Sequence, residues 1–221
     1  PGGHAVNTAG NLVHYICFGW AGRLEEPVAS VPNDPHEVGF VSGAALAIRR
    51  SAWEELGGFD ERYFMYGEDL DLSLRLRLAG HRVGIAPAAR VEHEYAFTKG
   101  DYKWFYLERN RMWTVLAAYP APLLALLAPA LIAFEVVLLV ASWRGGWLRA
   151  KLRAQAAVLR ELPRIAQRRR AVQRTRRVTA ARFADGFVAS LDSPHLAMGR
   201  AVPGAEPLQA LYWRLVRALV R

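Results

Sequence analysis

Leucines alternate with polar residues between positions 70 and 78. A period of two favours a β-strand, but leucine and arginine are good helix formers. Asp69 and Asp71 stand where the positive end of a helix dipole favours acids. Asp71 and Arg75 are four residues apart, the spacing of an ion pair on one helical face, and Gly80 is a common terminator. We therefore predict a helix over residues 69–80.

Shorter elements are predicted on either side of this helix. The small-residue apolar run at 39–48 is typical of a buried strand. Ser51 and Glu54 have the spacing of a capping box, so a helix should begin there and end at Gly57. Short extended segments are expected at 81–86 and 90–93.

The longest apolar stretch covers residues 115–140 and contains one charge, Glu135, together with three prolines. A continuous helix of that length would span about 39 Å, more than the roughly 30 Å of bilayer hydrocarbon. Arginines flank both ends, whereas positive residues prefer the cytoplasmic side. We expect a membrane-contacting helical hairpin that breaks near Pro129, with both ends in the cytosol. A simple crossing and a buried helix pair in a soluble core remain alternatives.

Positive charge is concentrated in residues 144–182, which hold 13 Lys or Arg and one acid, Glu161, while the rest of the chain is slightly acidic. The segment is helix-prone apart from Pro163, and such a helix suits the anionic inner leaflet of a membrane. A solvated helix face and a nucleic-acid arm are the alternatives. Because no aromatic residue lies between Trp147 and Phe183, we expect no nucleic-acid partner. A last amphipathic helix is predicted at 208–220, with one side formed by Leu208, Leu211, Tyr212, Leu215 and Leu219.

Composition excludes several classes of protein. The single cysteine rules out an internal disulfide framework and a cysteine zinc ribbon. A hydrophobic content of 52% is ample for a core and rules out a wholly disordered chain.

Candidate chemistry lies where a loop enters the predicted 69–80 helix. Glu68, Asp69 and Asp71 fall within four residues, and carboxylates in such a place serve as general bases or metal ligands. Helix capping together with an Asp71–Arg75 ion pair is the alternative, which these residues alone favour. His93 stands between two glutamates, although a lone histidine is ordinarily not a metal ligand.

Several ordered blocks together resemble the acceptor-side half of a family 2 glycosyltransferase, in particular the bacterial rhamnosyltransferase-like members that build cell-surface polysaccharide. The resemblance covers about residues 5–115. The blocks are SGAALAIRR at 42–50, GGFDE at 57–61, YGEDLDL at 66–72, RLRLAG at 75–80, the spacing from Pro87 to VEH at 91–93, and LERNR at 107–111.

The resemblance implies an α/β fold: the C-terminal half of a GT-A-type nucleotide-sugar transferase domain, followed by an apolar membrane-associated helical hairpin and basic amphipathic helices. It implies an inverting, metal-dependent transfer that uses Mg²⁺ or Mn²⁺. The donor would be a nucleotide-sugar, and the acceptor a glycan or lipid-linked molecule in bacterial cell-surface synthesis.

The resemblance also implies roles for five residues. Asp69 matches the general base that takes the proton from the attacking hydroxyl. His93 matches a position that completes the metal shell in some members. Gly43 and Ala44 match a strand whose small side chains let the donor sugar approach, and Glu68 is expected to order the acceptor pocket.

Three neighbouring residues are treated differently. Asp69 and Asp71 spell the Asp-x-Asp string by which such enzymes hold their metal, but that string belongs at a strand end, so we assign Asp71 no metal role. Arg109 and Arg111 are weak candidates for contacting substrate phosphate. Anchoring at the membrane surface explains these two arginines equally well.

The chain begins with proline, so we expect it to be a piece of a longer protein that is inactive alone, with the metal pair and nucleotide pocket supplied from the missing half. We expect it at the cytoplasmic face of the bacterial inner membrane, with an anionic membrane surface as a partner. A non-catalytic membrane-tethering protein with a degenerate transferase remnant is the alternative. The predicted divisions are 1–112 (acceptor-side part of the transferase domain), 113–143 (apolar membrane-associated segment), 144–190 (Arg-rich helical segment) and 191–221 (linker and terminal amphipathic helix).

Overall fold

A computed structural model describes residues 5–93, 100, 102–191 and 205–220. Its helices are α1 (Arg50–Leu56), α2 (Glu68–Leu78), α3 (Tyr102–Ala118), α4 (Ala121–Arg144), α5 (Leu148–Arg160), α6 (Leu162–Arg174), α7 (Ala180–Ala184) and α8 (Ala205–Leu219). Its strands are β1 (Asn11–Val13), β2 (Gly19–Ala21), β3 (His36–Glu37) and β4 (Gly84–Ile85). The described chain is therefore a mixed helix and strand structure dominated by helices.

The strands form two small antiparallel sheets. β1 pairs with β2 in the register Leu12 opposite Trp20, and β3 pairs with β4 in the register His36 opposite Ile85. The parallel pairing among the described residues is an isolated bridge between His14 and Val188. The parallel sheet expected of a GT-A half-domain is thus not found in the part of the chain described here.

The predicted buried strand at 39–48 is wrong beyond Phe40, which bridges to Asn11. Residues 41–48 form turns and irregular backbone, and several of their side chains are exposed. Side chains of α2 take the place of a neighbouring strand, because the N–H groups of Val41 and Gly43 donate to the side chains of Ser73 and Asp69.

The predicted capping box of α1 is also wrong, although the predicted end is confirmed. The helix begins at Arg50, and its N-cap residue Arg49 makes no side-chain cap hydrogen bond. Gly57 ends the helix in the left-handed conformation, with a φ of 72°. Glycine adopts that conformation without the steric cost that a Cβ imposes.

The predicted helix over 69–80 is confirmed as α2, and its surroundings explain the alternating leucines. Leu70, Leu74 and Leu78 lie in the main core, whereas Leu72 and Leu76 pack in a second cluster that includes α1. Since α2 is buried on both sides, its apolar residues do not follow the single stripe of a surface helix.

The helical hairpin predicted to break near Pro129 is wrong, and the helices are interrupted instead at residues 119–120, between α3 and α4. Helix α4 runs unbroken from Ala121 to Arg144 with Pro129 inside it. Proline lacks the N–H that would bond the carbonyl one turn earlier, which normally kinks or breaks a helix. Here buried leucines on both sides of the proline, Leu127 and Leu131, hold the helix against the core.

Of the described helices, α4 is the one long and apolar enough to cross a membrane, with a mean hydropathy of 2.7. Length and composition alone make α4 a candidate for a membrane span. The helices predicted in the Arg-rich segment are present as α5 and α6, which meet at Glu161, and the predicted terminal helix is present as α8. The leucine stripe predicted for α8 is largely exposed. The buried side chains are instead Trp213 and Val216, together with Val220 just after the helix.

The main core draws on all four predicted divisions of the chain. Val13 and Leu74 pack in it with Leu123 of α4, Phe183 of α7 and Val216 of α8. The boundary predicted after residue 112 falls inside α3. The four divisions are therefore parts of one packed structure.

Helix α6 covers the C-terminal end of α3. Arg169 donates to the carbonyls of Leu116 and Tyr119 at 2.7 and 2.8 Å, and Gln173 donates to the carbonyls of Ala117 and Ala118 at 3.1 and 3.0 Å. The last carbonyls of a helix lack partners within it, and a positive charge there also complements the helix dipole. Part of the Arg-rich segment thus stabilises the fold.

Replacing Gln173 with leucine is expected to destabilise the full-length protein by about 1–3 kcal/mol, because two partly buried carbonyls lose their donor. The measurement is urea unfolding followed by tryptophan fluorescence. Arg170→Ala is the matched control, since Arg170 is exposed on the same helix. Equal midpoints for Gln173→Leu and the control would contradict the capping role.

Candidate active site

Asp69 lies in the first turn of α2 and contacts the segment that contains Gly43. Its Oδ2 accepts a hydrogen bond from the Gly43 N–H at 2.9 Å, and its Oδ1 accepts one from the Leu70 N–H at 2.7 Å. The side chain is half-buried. Burial raises the pKa of the Asp69 carboxyl, and the peptide N–H groups offset part of that increase. A carboxylate of raised pKa is a better proton acceptor than an ordinary aspartate.

Gly43 and Ala44 lie beside Asp69 on an exposed turn, where the resemblance places the donor sugar. A Cβ added to Gly43 would meet the Asp69 Cβ at 3.5 Å, which is an ordinary contact. The Ala44 N–H donates to Ser42 Oγ at 3.2 Å. Both small residues are exposed, so the backbone there is accessible to a ligand.

Glu68 precedes Asp69 and is half-buried. Its Oε2 is enclosed and has no hydrogen-bond partner within the described residues. Burial and the negative charge of Asp69 raise the pKa of the Glu68 carboxyl. Because groups of perturbed pKa are enriched at functional sites, these two carboxyls are candidates for acid–base roles.

Asn110 of α3 holds the loop that leads into α2. Its amide nitrogen lies 3.0, 2.9 and 2.7 Å from the carbonyl oxygens of Tyr63, Met65 and Tyr66. This loop has unusual backbone conformations, with φ values of 61° at Phe64 and 64° at Tyr66. A left-handed conformation at these residues is costly and persists only when neighbouring contacts enforce it. Asn110 thus holds in place the loop that leads to the start of α2.

Sequence reasoning did not assign a role to Asn110, although it belongs to the LERNR block. A signal was present, since asparagine is a poor helix former. In the structure Asn110 is 1% exposed in the middle of α3.

Asp71 serves an ion network inside the fold. Its carboxylate accepts hydrogen bonds from Tyr63 Oη at 2.9 Å, Arg75 Nε at 2.7 Å and an Arg168 nitrogen of α6 at 2.7 Å. The predicted Asp71–Arg75 pair is therefore confirmed. With both oxygens bonded by protein donors, Asp71 anchors α6 to α2.

Arg109 and Arg111 are buried, which corrects both interpretations of these residues. Arg109 donates to the carbonyls of Arg62 and Tyr63, at 2.7 and 3.1 Å. Arg111 forms ion pairs with Glu108 and Glu135. Neither guanidinium is available to a substrate phosphate or to a membrane surface.

His93 is exposed, and its Nδ1 lies 3.4 Å from the Asn7 amide nitrogen. Across the described residues, histidines, cysteines and acids nowhere gather in a group of three that could hold a metal ion. These residues therefore do not by themselves fit a divalent cation, and Asp69 and His93 do not form a complete metal site there.

Two clefts of the described structure lie elsewhere. A cleft of about 410 Å³ is bordered by Asp60, Arg75 and Arg168, and another of about 730 Å³ by Arg77 and Arg182 among others. Asp69 lines neither of them. The carboxylate instead lies next to the turn that contains Gly43.

Comparison with known proteins agrees with the resemblance found in the sequence. A family model described as "Glycosyl transferase family group 2" matches residues 23–159. The N-acetylglucosaminyl-diphospho-decaprenol L-rhamnosyltransferase of Mycobacterium tuberculosis (strain ATCC 25618 / H37Rv) is 52% identical over 63 residues, which are 28% of this chain and 20% of that protein. The rhamnosyltransferase WbbL of Escherichia coli (strain K12) is 36% identical over 101 residues, 41% of this chain and 38% of that protein.

A third relative, the O-antigen biosynthesis protein RfbC of Myxococcus xanthus, is 31% identical over 116 residues, 47% of this chain and 9% of that protein. The chain therefore spans well under half the length of these relatives. No solved structure matches the chain. Because the family model covers more than half of its residues, the chain belongs to glycosyl transferase family group 2.

Proposed function

We propose that this chain is the acceptor-side part of an inverting glycosyltransferase that moves a sugar from a nucleotide-sugar donor to a glycan or lipid-linked acceptor. Family membership and the rhamnosyltransferase and O-antigen names of its relatives support sugar transfer in bacterial cell-surface glycan synthesis. The observation that carries the assignment is the half-buried Asp69 carboxylate, held by the Gly43 N–H beside an exposed small-residue turn. We propose the GT-A arrangement as the fold of the whole domain.

In this proposal Asp69 is the general base. Its carboxylate takes the proton of the acceptor hydroxyl while that oxygen attacks the anomeric carbon of the donor. The bond from that carbon to the phosphate oxygen breaks, and the bonding electrons leave with the nucleoside diphosphate. Each carboxylate oxygen has a second lone pair after accepting its backbone hydrogen bond, so Asp69 can bond the hydroxyl without leaving Gly43.

Glu68 and the Gly43–Ala44 turn have supporting roles in the proposal. Glu68, which has one oxygen without a hydrogen-bond partner among the described residues, orders the acceptor pocket beside Asp69. The turn, which has no side chain beyond a methyl group, leaves space for the donor sugar next to the base.

The test of this function is a transfer assay with membranes that contain the full-length protein. Radiolabelled nucleotide-sugars, including activated L-rhamnose, are supplied with a bacterial lipid extract. We expect label in the lipid-extractable or polysaccharide fraction for one donor. No transfer from any donor would contradict the function.

Enzymes of this family generally use a divalent metal ion. We propose Mg²⁺ or Mn²⁺ as the ion and His93 as one ligand. Since the described residues supply no complete ligand set, the steps above involve this chain's own groups alone.

His93→Ala is expected to weaken Mn²⁺ binding to the full-length protein by roughly tenfold or more, because one imidazole ligand is lost. The measurement is a Mn²⁺ titration followed by electron paramagnetic resonance. His36→Ala is the matched control, since His36 lies on β3 and bonds a backbone carbonyl. An unchanged titration for His93→Ala would remove His93 from the metal site.

We further propose that the protein acts at the cytoplasmic face of the inner membrane and retains the four divisions as functional segments. Support comes from the apolar α4 and from the lipid-linked substrate named for the mycobacterial relative. Eight exposed arginines without an acidic partner in the described structure supply charge for an anionic lipid surface; they are Arg144, Arg149, Arg153, Arg160, Arg164, Arg170, Arg174 and Arg176.

A further inference from the structure

One face of α4 is attached to the protein along the full length of the helix. Buried side chains recur there about once per turn, from the first turn to the last. They are Leu123, Leu127, Leu131, Leu138 and Ser142. At about 1.5 Å per residue this attachment extends over most of the helix, so no part of α4 stands apart from the protein.

Glu135 continues this face through the middle of α4. Its carboxylate pairs with Arg111 of α3 and with Lys151 of α5, the latter at 2.6 Å. Lys151 also pairs with Glu108 and is fully buried. We call Glu108, Arg111, Glu135 and Lys151 the ion cluster; it joins α3, α4 and α5 at one point.

The ion cluster fixes charged groups of α5 beside α4. Arg149, Arg153 and Arg160 are exposed on α5, and none has an acidic partner in the described structure. If α4 crossed a bilayer in this structure, α5 would be drawn into the hydrocarbon together with these arginines. Unpaired arginines in hydrocarbon are strongly disfavoured.

The opposite face of α4 is apolar and exposed. Ile132 and Trp143 are 66% and 69% exposed, and Val136, Val137 and Val140 lie on the same outward side. Tryptophan prefers the boundary between lipid and water; Arg144 follows Trp143 directly, and Arg149 lies at the start of α5. An exposed apolar face with arginines beyond its C-terminal end can contact lipid chains while the arginines contact anionic headgroups.

We propose that α4 lies in the plane of the membrane interface, inserts its outward face among the lipids, and does not cross the bilayer. The occupant of this face is an anionic lipid surface, chosen because the unpaired arginines next to it complement negative headgroups. The inference refines the membrane association proposed above.

Depth measurements on the full-length protein test this orientation. Single cysteines replace Ile132, Val136 and Trp143 in turn and carry a fluorophore, and the protein is bound to phosphatidylglycerol-containing vesicles with lipids brominated at shallow or deep positions. We expect shallow bromines to quench all three labels alike. A crossing helix would place Ile132 deep and Trp143, about 16 Å further along the helix, shallow. That pattern, or no quenching at all, would overturn the proposal.

Val136→Asp provides a second test by vesicle co-sedimentation. Burial of a valine side chain in lipid corresponds to roughly a tenfold change in partitioning, so we expect binding to fall by at least that factor. Val91→Asp is the matched control, because Val91 is an exposed valine outside α4. Equal binding of both variants, or equal binding of the unchanged protein to neutral vesicles, would contradict the proposal. Sugar transfer by the same proteins is also assayed in detergent with a soluble acceptor. This assay does not depend on vesicle binding, so it separates a failure of the proposed membrane orientation from a failure of the proposed function.

Discussion

Asp69→Asn in the full-length protein is expected to lower kcat for sugar transfer by about 10²–10⁴-fold, with little change in donor binding. Asparagine is nearly isosteric, and its amide oxygen can still accept the Gly43 N–H, although the bond from the Leu70 N–H to the other oxygen is lost. What the variant loses is the ability to take the acceptor proton. The expected fall in kcat is therefore the usual contribution of a general base. The measurement combines initial rates with equilibrium binding of the nucleotide-sugar.

Asp34→Asn is the control for this substitution. Asp34 is exposed on a surface loop, so the change removes a charge of the same type without touching α2. We expect control rates within twofold of the unchanged protein, on the order expected for a surface substitution. Comparable rates for Asp69→Asn and the control would show that Asp69 is not the base.

Lys151→Met is expected to destabilise the protein by about 3–5 kcal/mol, the usual cost of removing one partner from a buried ion pair. Lys151 lies between Glu108 and Glu135, both of which lose a charged donor when the ammonium is removed. Arg111 alone then has to compensate two carboxylates. The measurement is urea unfolding of the full-length protein, followed by tryptophan fluorescence.

Two further variants make this prediction specific. Arg149→Met removes an exposed cation from the same helix and is expected to leave the unfolding midpoint unchanged. Adding Glu135→Gln to Lys151→Met removes one of the two carboxylates that share Arg111 and should restore part of the lost stability. A single Lys151→Met variant as stable as the control would contradict the role assigned to the ion cluster.

Local physical rules recovered the helices well. The distribution of charge around Asp69 and Arg75 identified α2 as a helix against the period of its leucines, and Gly57 was correctly placed at the end of α1. Local rules failed where a tertiary contact replaced a local one. The Gly43 N–H bonds a helix side chain instead of a strand, and packed leucines carry α4 through Pro129.

The ion cluster shows why sequence alone could not assign the charges. In the sequence, Glu135 is an isolated acid within an apolar run. Arg111 precedes that run, and Lys151 is one of many cations in the Arg-rich segment that follows it. Their partnership depends on packing between residues up to 43 positions apart. The same holds for Arg168, which pairs with Asp71 across 97 positions.

At the candidate site the sequence blocks suggested Asp69 and Gly43 but not the contacts that hold them. Asp69 and Gly43 were assigned together through the resemblance, and the structure joins them by a hydrogen bond. The contribution of Asn110 required coordinates, because it bonds backbone carbonyls 44–47 positions away. Backbone acceptors carry no signature in the amino-acid sequence.

The most direct measurement is an experimental structure of the full-length protein with nucleoside diphosphate and acceptor bound. We expect an Asp69 carboxylate oxygen within about 2.6–3.2 Å of the acceptor hydroxyl, with the Gly43 contact retained. An acceptor hydroxyl bound to another carboxylate, with Asp69 facing away from the bound sugar, would show that Asp69 is not the general base.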